Sequence, residues 1–431
     1  MKVSNASSLR GTVIVPGDKS ISHRAAMIAA LAEETTTIEN FALSSDCLST
    51  LRCTEALGAR IEQAGKTIHI KGVGPTGLSK PHEILDCGNS GTTMRLLAGI
   101  LAGQDFSSVL TGDDSLRSRP MKRIIEPLTE MGAVIEHTGG TAPLTITGRS
   151  SLTAIDHHPV KASAQVKSCI LLAGLNADGE TRVIEPVETR DHTERMLRWF
   201  GVDVYSGFDN GQNSVSVIGG QALTARDVTI PGDLSSAAFF IAAAVCIDDS
   251  TLILPHVGIN PTRRSFVDIL IRLGYEIEIT DDRDICNEPV ATITVTGNKG
   301  PRANGPLVIE REMVAGLIDE IPVLAVLGTQ IEGGIKVRDA AELRVKESDR
   351  IAAIVESLGR MGARVTETPD GFVVESSDLQ GAVVDPRGDH RIAMALAAAG
   401  LLAEGETTIE GASCVDVSFP GFFETLQSVI R

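Results

Sequence analysis

Seven cations in this chain stand beside residues that commonly start helices or turns. Lys19, Ser20 and Arg24 follow Pro16-Gly17-Asp18, and Arg95 follows Gly88-Asn89-Ser90-Gly91. Arg119 stands in the turn Arg117-Ser118-Arg119-Pro120, Lys346 and Arg350 are four apart, and Arg391 follows Asp389-His390. A helix N-terminus has backbone N–H groups without intrahelical partners and the positive end of the dipole, so it takes up phosphate or carboxylate. A Gly there lets a ligand reach the backbone, and a guanidinium adds a planar fork that fits two anion oxygens. The pattern predicts ligands carrying several negative charges. Glu347 and Asp349 lie between Lys346 and Arg350, and Asp319 admits a catalytic reading. Ser20 and Asp319 would also serve as plain N-caps, Asp319 being followed by Pro322 at an early helical position.

Other chemical patterns are weaker. Gly72-Val73-Gly74-Pro75-Thr76-Gly77 matches G-x-G-x-x-G, but Pro75 interrupts it and no helical pattern follows before Pro81, so it fails as a dinucleotide fingerprint. His157-His158 reads as a loop, and Asp281-Asp282-Arg283-Asp284 as a solvated loop. No set of His, Cys and carboxylates has metal-ligand spacing, so neither a metal nor a cofactor is expected. The seven Cys form no C-x-x-C pair and read as reduced thiols.

Elements to position these residues recur along all 431 residues. A small-residue apolar helix leads to a Thr/Gly-rich turn and a short strand at 35–39, 107–110, 181–184, 250–253, 334–337 and 407–410. A second helix follows, ending on Leu57-Gly58-Ala59, Met131-Gly132-Ala133, Phe200-Gly201-Val202, Leu273-Gly274-Tyr275 or Met361-Gly362-Ala363. Gly just past a helix is the expected left-handed cap, and the alternating segment after it reads as a half-buried strand. The unit of helix, strand, helix, strand, strand occurs about six times. The sixth copy lacks its final strands, and the segment Thr12-Val13-Ile14-Val15 is free to supply one.

That closure makes one domain discontinuous, 1–15 plus 231–431, with 16–230 as the second, three repeats in each around an interdomain cleft. The length also calls for two cores. The turn Pro16-Gly17-Asp18 returns at Pro231-Gly232-Asp233, where Leu234-Ser235-Ser236 carry neither cation. A net charge of −17 argues against nucleic acid and anionic membranes as partners. The first residues have no apolar leader, and the longest apolar run, 392–403, is too short to span a bilayer. A cytoplasmic protein is the expectation.

PGDKSISHR, GNSGTTMR, RSRPMKR, SAQVKS, RVKESDR, GDHRIAMA and SFPGFFETL, in this order along essentially the whole chain, resemble the 5-enolpyruvylshikimate-3-phosphate synthase family. SAQVKS and RDHTERM look like its class II branch. The resemblance implies an α/β fold of six βαβαββ units in two domains that close on the ligands. It also implies transfer of the enolpyruvyl group of phosphoenolpyruvate to the 5-hydroxyl of shikimate 3-phosphate, by a monomer acting on these two small molecules. Carried over by motif, Ser20 and Arg24 take shikimate 3-phosphate, with Ser163, the backbone at Ala164, Gln165, Asp319 and Lys346, and Lys19 lies between both ligands. Gly91, Arg119, Gln165, Arg350 and Arg391 match the grip on phosphoenolpyruvate. Asp319 matches the acceptor of the hydroxyl proton, and Glu347 a carboxylate that moves protons at the methylene carbon. The sister enolpyruvyl transferase acting on UDP-N-acetylglucosamine usually carries a reactive Cys near the Arg119 region, and residues 111–123 contain none. A non-catalytic anion-binding repeat scaffold is the other alternative.

Overall fold

Six helices of this chain are apolar almost all round, with Ala, Gly, Leu and Ile on every face: Lys19–Ala30, Gly91–Ala102, Ala164–Gly174, Leu234–Cys246, Ile321–Gly328 and His390–Leu402. A helix without a polar face must be buried on all sides, and nearly every residue of these six is buried. The computed structural model describes residues 1–209, 211–298 and 305–431. It divides into two compact units, one of Met1–Pro16, Pro231–Asp284 and Pro289–Arg431, the other of Gly17–Ile230 and Ile285–Glu288. Each unit has its own core and contains three of the six buried helices.

In the 17–230 unit three four-stranded sheets share one order. The strand after each buried helix is central, with a short parallel strand on one side and the hairpin on the other: 228–229, 35–39, 67–71, 60–64; then 85–86, 107–111, 141–147, 134–138; then 156–157, 180–185, 212–218, 204–209. The other unit repeats the order twice, as 10–12, 251–258, 288–296, 276–285 and 307–309, 335–337, 371–374, 365–368. Its third sheet has three strands, with Lys2–Ser4 antiparallel to Glu406–Ile409 in the place a hairpin would fill. The segment at 12–15 therefore does not close the sixth repeat. Arg10–Thr12 runs parallel to Thr251–Ile253 and Val13 N–H donates to Ile253 O, which puts this segment in the fourth repeat's sheet. Asp281–Asp284 is not a loop either. It lies within the strand Glu276–Ile285, whose charged side chains point to solvent.

The fixed phrase at the end of each second helix has a single explanation. Gly58, Gly132, Gly201, Gly274 and Gly362 all have φ between +84° and +106°, a region costly to any residue with a Cβ. In four of them the Gly N–H bonds three residues back and the following N–H bonds five back, as Ala133 to Leu128, Val202 to Leu197, Tyr275 to Leu270 and Ala363 to Leu358. These bonds satisfy the last carbonyls of the helix and turn the chain into the hairpin.

Helix packing brings the starts of neighbouring buried helices together. At Gly99 a Cβ would lie 2.1 Å from Cys169 O, so the helices Gly91–Ala102 and Ala164–Gly174 approach backbone to backbone. One added methyl would force them apart, at a cost of about 1–3 kcal/mol. With the helix bodies apolar, their first turns are the places left for charge.

Candidate functional site

In the 17–230 unit the helix Lys19–Ala30 is capped by Asp18, whose carboxylate accepts from Ile21 N–H at 2.9 Å; Ser20 is not the cap. Lys19 Nζ lies 2.9 Å from Asp46 Oδ2. Arg24 points back along the same helix and is 3% exposed. It donates from Nη1 to Ser20 O (2.8 Å), from Nε to Thr193 Oγ1 (2.7 Å) and from Nη2 to Ser168 Oγ (2.9 Å). The Thr193 hydroxyl donates to Ser168 Oγ (2.6 Å), and Ser168 donates to Ala164 O (2.6 Å). Both hydroxyl protons thus point away from the guanidinium and leave lone pairs toward it. Among the described residues no carboxylate comes within ion-pair reach of Arg24. Burial pushes its pKa down to about 10, only partly opposed by the field of Glu194.

The second and third buried helices of this unit meet at their starts. Ser90 caps Gly91–Ala102, and Ser163 caps Ala164–Gly174. Arg95 Nη1 donates to Gln165 Oε1 (2.7 Å), and Gln165 Nε2 donates to Thr92 Oγ1 (2.9 Å). A Cβ on Gly91 would lie 2.6 Å from Arg95 Nη1 and 3.5 Å from Arg119 Nη1, so both guanidiniums border this glycine. Arg119 Nη2 donates to Asn89 Oδ1 (2.6 Å), whose own Nδ2 donates to Asp113 Oδ2 (2.7 Å). Lys19, Ser20, Arg24, Gly91, Arg119, Ser163, Ala164 and Gln165 are therefore linked through neighbouring helix starts.

In the other unit, Arg350 is 2% exposed and reaches three carboxylates. Nε donates to Asp389 Oδ2 (2.8 Å), Nη2 to Glu347 Oε2 (2.6 Å), and Nη1 to Asp319 Oδ1 (3.4 Å). Burial alone would lower its pKa, but the three carboxylates, Asp389 foremost, reverse this and raise it. Arg391 Nε lies 3.3 Å from the same Asp319 Oδ1, so one carboxylate oxygen sits between two guanidiniums. Asp319 does not cap the helix Ile321–Gly328; Glu320 precedes that helix and makes no side-chain cap bond. Lys346 and Arg350 do not share a helical face. Lys346 follows a 3-10 turn at Ala341–Val345 and lies 3.5 Å from Glu342, while the helix begins at Arg350 behind the Asp349 cap.

The start of Leu234–Cys246, the echo of the Lys19 helix, has a cation after all. Arg263 Nη2 lies 3.2 Å from Asp233 Oδ1 and 2.5 Å from Ser235 Oγ, and Ser235 donates to Glu320. This cation comes from 30 residues downstream and is matched by the cluster's own carboxylates. Sequence reasoning did not assign roles to Thr193, Ser168, Asn89 or Asp389. Each stands inside or beside a motif already singled out, but its partner lies too far along the chain for spacing to show it.

The described residues include no group of three or more metal-ligating side chains and no helix long and apolar enough to cross a membrane. All seven cysteines are unpaired. The model of the family described as EPSP synthase (3-phosphoshikimate 1-carboxyvinyltransferase) matches residues 3–426. The chain belongs to this family. It is 51% identical over 437 residues to the 3-phosphoshikimate 1-carboxyvinyltransferase of Pelotomaculum thermopropionicum, covering 100% of this chain and 99% of that one. With the enzyme of the same description from Brevibacillus brevis it shares 49% identity over 432 residues, again covering 100% and 99%. The fold superposes on the EPSP synthase structure from Acinetobacter baumannii with a TM-score of 0.86 at 42% identity, over 99% of this chain and 97% of that one. The EPSP synthase fold thus carries both helix-start clusters described above.

Proposed function

We propose that the chain is a 3-phosphoshikimate 1-carboxyvinyltransferase, joining the enolpyruvyl group of phosphoenolpyruvate to the 5-hydroxyl of shikimate 3-phosphate and releasing phosphate. The observation that carries this reading is Arg24, a buried cation held by two hydroxyls and a carbonyl, with no carboxylate within ion-pair reach among the described residues. Removing a charge from water without an ionic partner is costly, and a phosphate-bearing ligand supplies the missing partner. Shikimate 3-phosphate is accordingly assigned to Arg24, Ser20, Ser163, the Ala164 backbone, Gln165, Asp319 and Lys346. Phosphoenolpyruvate is assigned to Gly91, Arg119, Gln165, Arg350 and Arg391, with Lys19 serving both.

In the first step the 5-hydroxyl oxygen bonds to C2 of phosphoenolpyruvate, its proton passes to Asp319, and the C3 methylene gains a proton to become methyl. In the second a C3 proton leaves, the double bond reforms and phosphate departs. An acid and a base on different atoms are needed, and Asp319 and Glu347 are assigned these roles. Asp319 Oδ1 lies between the guanidiniums of Arg350 and Arg391. The two ligands together carry roughly five to six negative charges, which suits the gathered cations of an acidic protein. The proposal takes the protein as a cytoplasmic monomer acting on small metabolites, not on nucleic acid.

The test is phosphate release by purified protein from phosphoenolpyruvate. Release that requires shikimate 3-phosphate, and is not supported by UDP-N-acetylglucosamine, is the expected result. No release with shikimate 3-phosphate overturns the reading.

A further inference from the structure

Behind Arg24 lies a second buried charge cluster that the proposed reaction does not use. Lys167 is 3% exposed, and its ammonium donates to Glu185 Oε2 (2.8 Å), Glu194 Oε1 (2.8 Å) and Thr189 O (3.2 Å). These three acceptors use all the hydrogen-bonding capacity of an ammonium. The Thr189 hydroxyl donates to the other oxygen of Glu185. Burial would lower the Lys167 pKa, but the two carboxylates outweigh it and raise it.

The cluster is joined covalently to the groups that hold Arg24. Lys167 precedes Ser168, and Glu194 follows Thr193; these two hydroxyls accept from Nη2 and Nε of Arg24. Glu194 is also the strongest favourable charge acting on Arg24, and its Oε2 is buried with no hydrogen-bond partner. Glu185 and Glu194 share this interior with Lys167 and Arg24, and Asp18, Arg190 and Glu288 add to the field at Arg24. Lys167 takes both Glu185 and Glu194, and Arg24 takes neither.

We propose that Lys167 is a positioning residue for shikimate 3-phosphate, holding Glu194 away from Arg24 so that the guanidinium stays open to the ligand's anion. The assignment rests on the reading of Arg24 given above. Without the ammonium, Glu194 loses its partner, and Arg24, on which its charge already acts, is a nearby cation that would draw it. An internal carboxylate would then compete with the ligand.

Calorimetric titration of the purified full chain with shikimate 3-phosphate tests this, with the KM for phosphoenolpyruvate measured alongside. Lys167→Met should weaken shikimate 3-phosphate binding at least tenfold and change the phosphoenolpyruvate KM less than threefold. Adding Glu194→Gln should restore binding to within threefold of wild type, which loss of packing at Lys167 would not allow. Unchanged binding in Lys167→Met overturns the inference, as does a loss that Glu194→Gln fails to rescue. If Lys167→Met alone does not fold, the double variant decides: near-wild-type binding supports the inference, and a tenfold loss overturns it. Wild-type protein that does not bind shikimate 3-phosphate defeats the underlying reading instead.

Discussion

Arg350 donates from Nε to Oδ2 of Asp389 at 2.8 Å, while the other oxygen of that carboxylate accepts from the Arg391 backbone N–H at 2.9 Å. One side chain therefore caps the helix His390–Leu402 and anchors a guanidinium at the start of another. Its two oxygens tie scaffold to site.

Asp389→Ala is expected to destabilise the protein by about 1–3 kcal/mol, because it leaves the buried Nε of Arg350 without its acceptor and removes a cap, while Glu347 and Asp319 still face the guanidinium. Denaturant midpoints at constant slope give the value. A loss below 1 kcal/mol would mean that Glu347 and Asp319 hold Arg350 unaided.

Arg24→Ala should weaken shikimate 3-phosphate binding by about tenfold or more, since each charge-assisted hydrogen bond contributes about 1.5–3 kcal/mol. Binding of phosphoenolpyruvate should suffer less. Separate titrations with each ligand check this, and equal losses would count against the assignment.

Asp319→Asn keeps the shape of the side chain but removes the proton acceptor. We expect kcat to fall by about 10²–10⁴-fold, the usual range for a general base. Steady-state kinetics decide: a rise in KM with kcat unchanged would make Asp319 a binding group only.

His23 is buried on the Lys19–Ala30 helix, with Nδ1 2.6 Å from Thr50 Oγ1 and Nε2 lacking any partner. Burial, then the charges of Lys19 and Arg24, push its pKa well below the ordinary 6.5. As pH falls below 6.5 the unfolded chain takes up a proton that the folded one refuses. Stability then drops, by up to about 1.4 kcal/mol per pH unit for this one group. Unfolding midpoints between pH 7 and pH 5 should fall more steeply in wild type than in His23→Asn. Parallel curves would show that other groups set the acid limb.

Local patterns were legible because local physics makes them. The repeated Gly after each second helix could be read from the chain, since only Gly takes φ near +84° to +106° cheaply. The apolar helices were legible for the same reason. Arg24 was visible as a cation at a helix start, but its partners Thr193 and Ser168 lie 169 and 144 residues away. Packing of three helices, Lys19–Ala30, Ala164–Gly174 and His192–Trp199, brings them together, and no propensity encodes that. The same limit misplaced the N-terminal segment: the apolar stretch at 12–15 reads as the natural closing strand, yet Lys2–Ser4 pairs with the last sheet. Lys346 and Arg350 stand four apart but on no common helix, and i, i+4 spacing implies one face only if a helix runs through both.

The first turn of Leu234–Cys246 repeats the backbone of the Lys19 helix, but its Arg263 is matched by Asp233 within the same cluster. Nature has thus left an internal control inside a single polypeptide. Substitutions there report what such a helix start contributes to the scaffold alone. Subtracting them from equivalent changes at Arg24 isolates the share that belongs to the ligand.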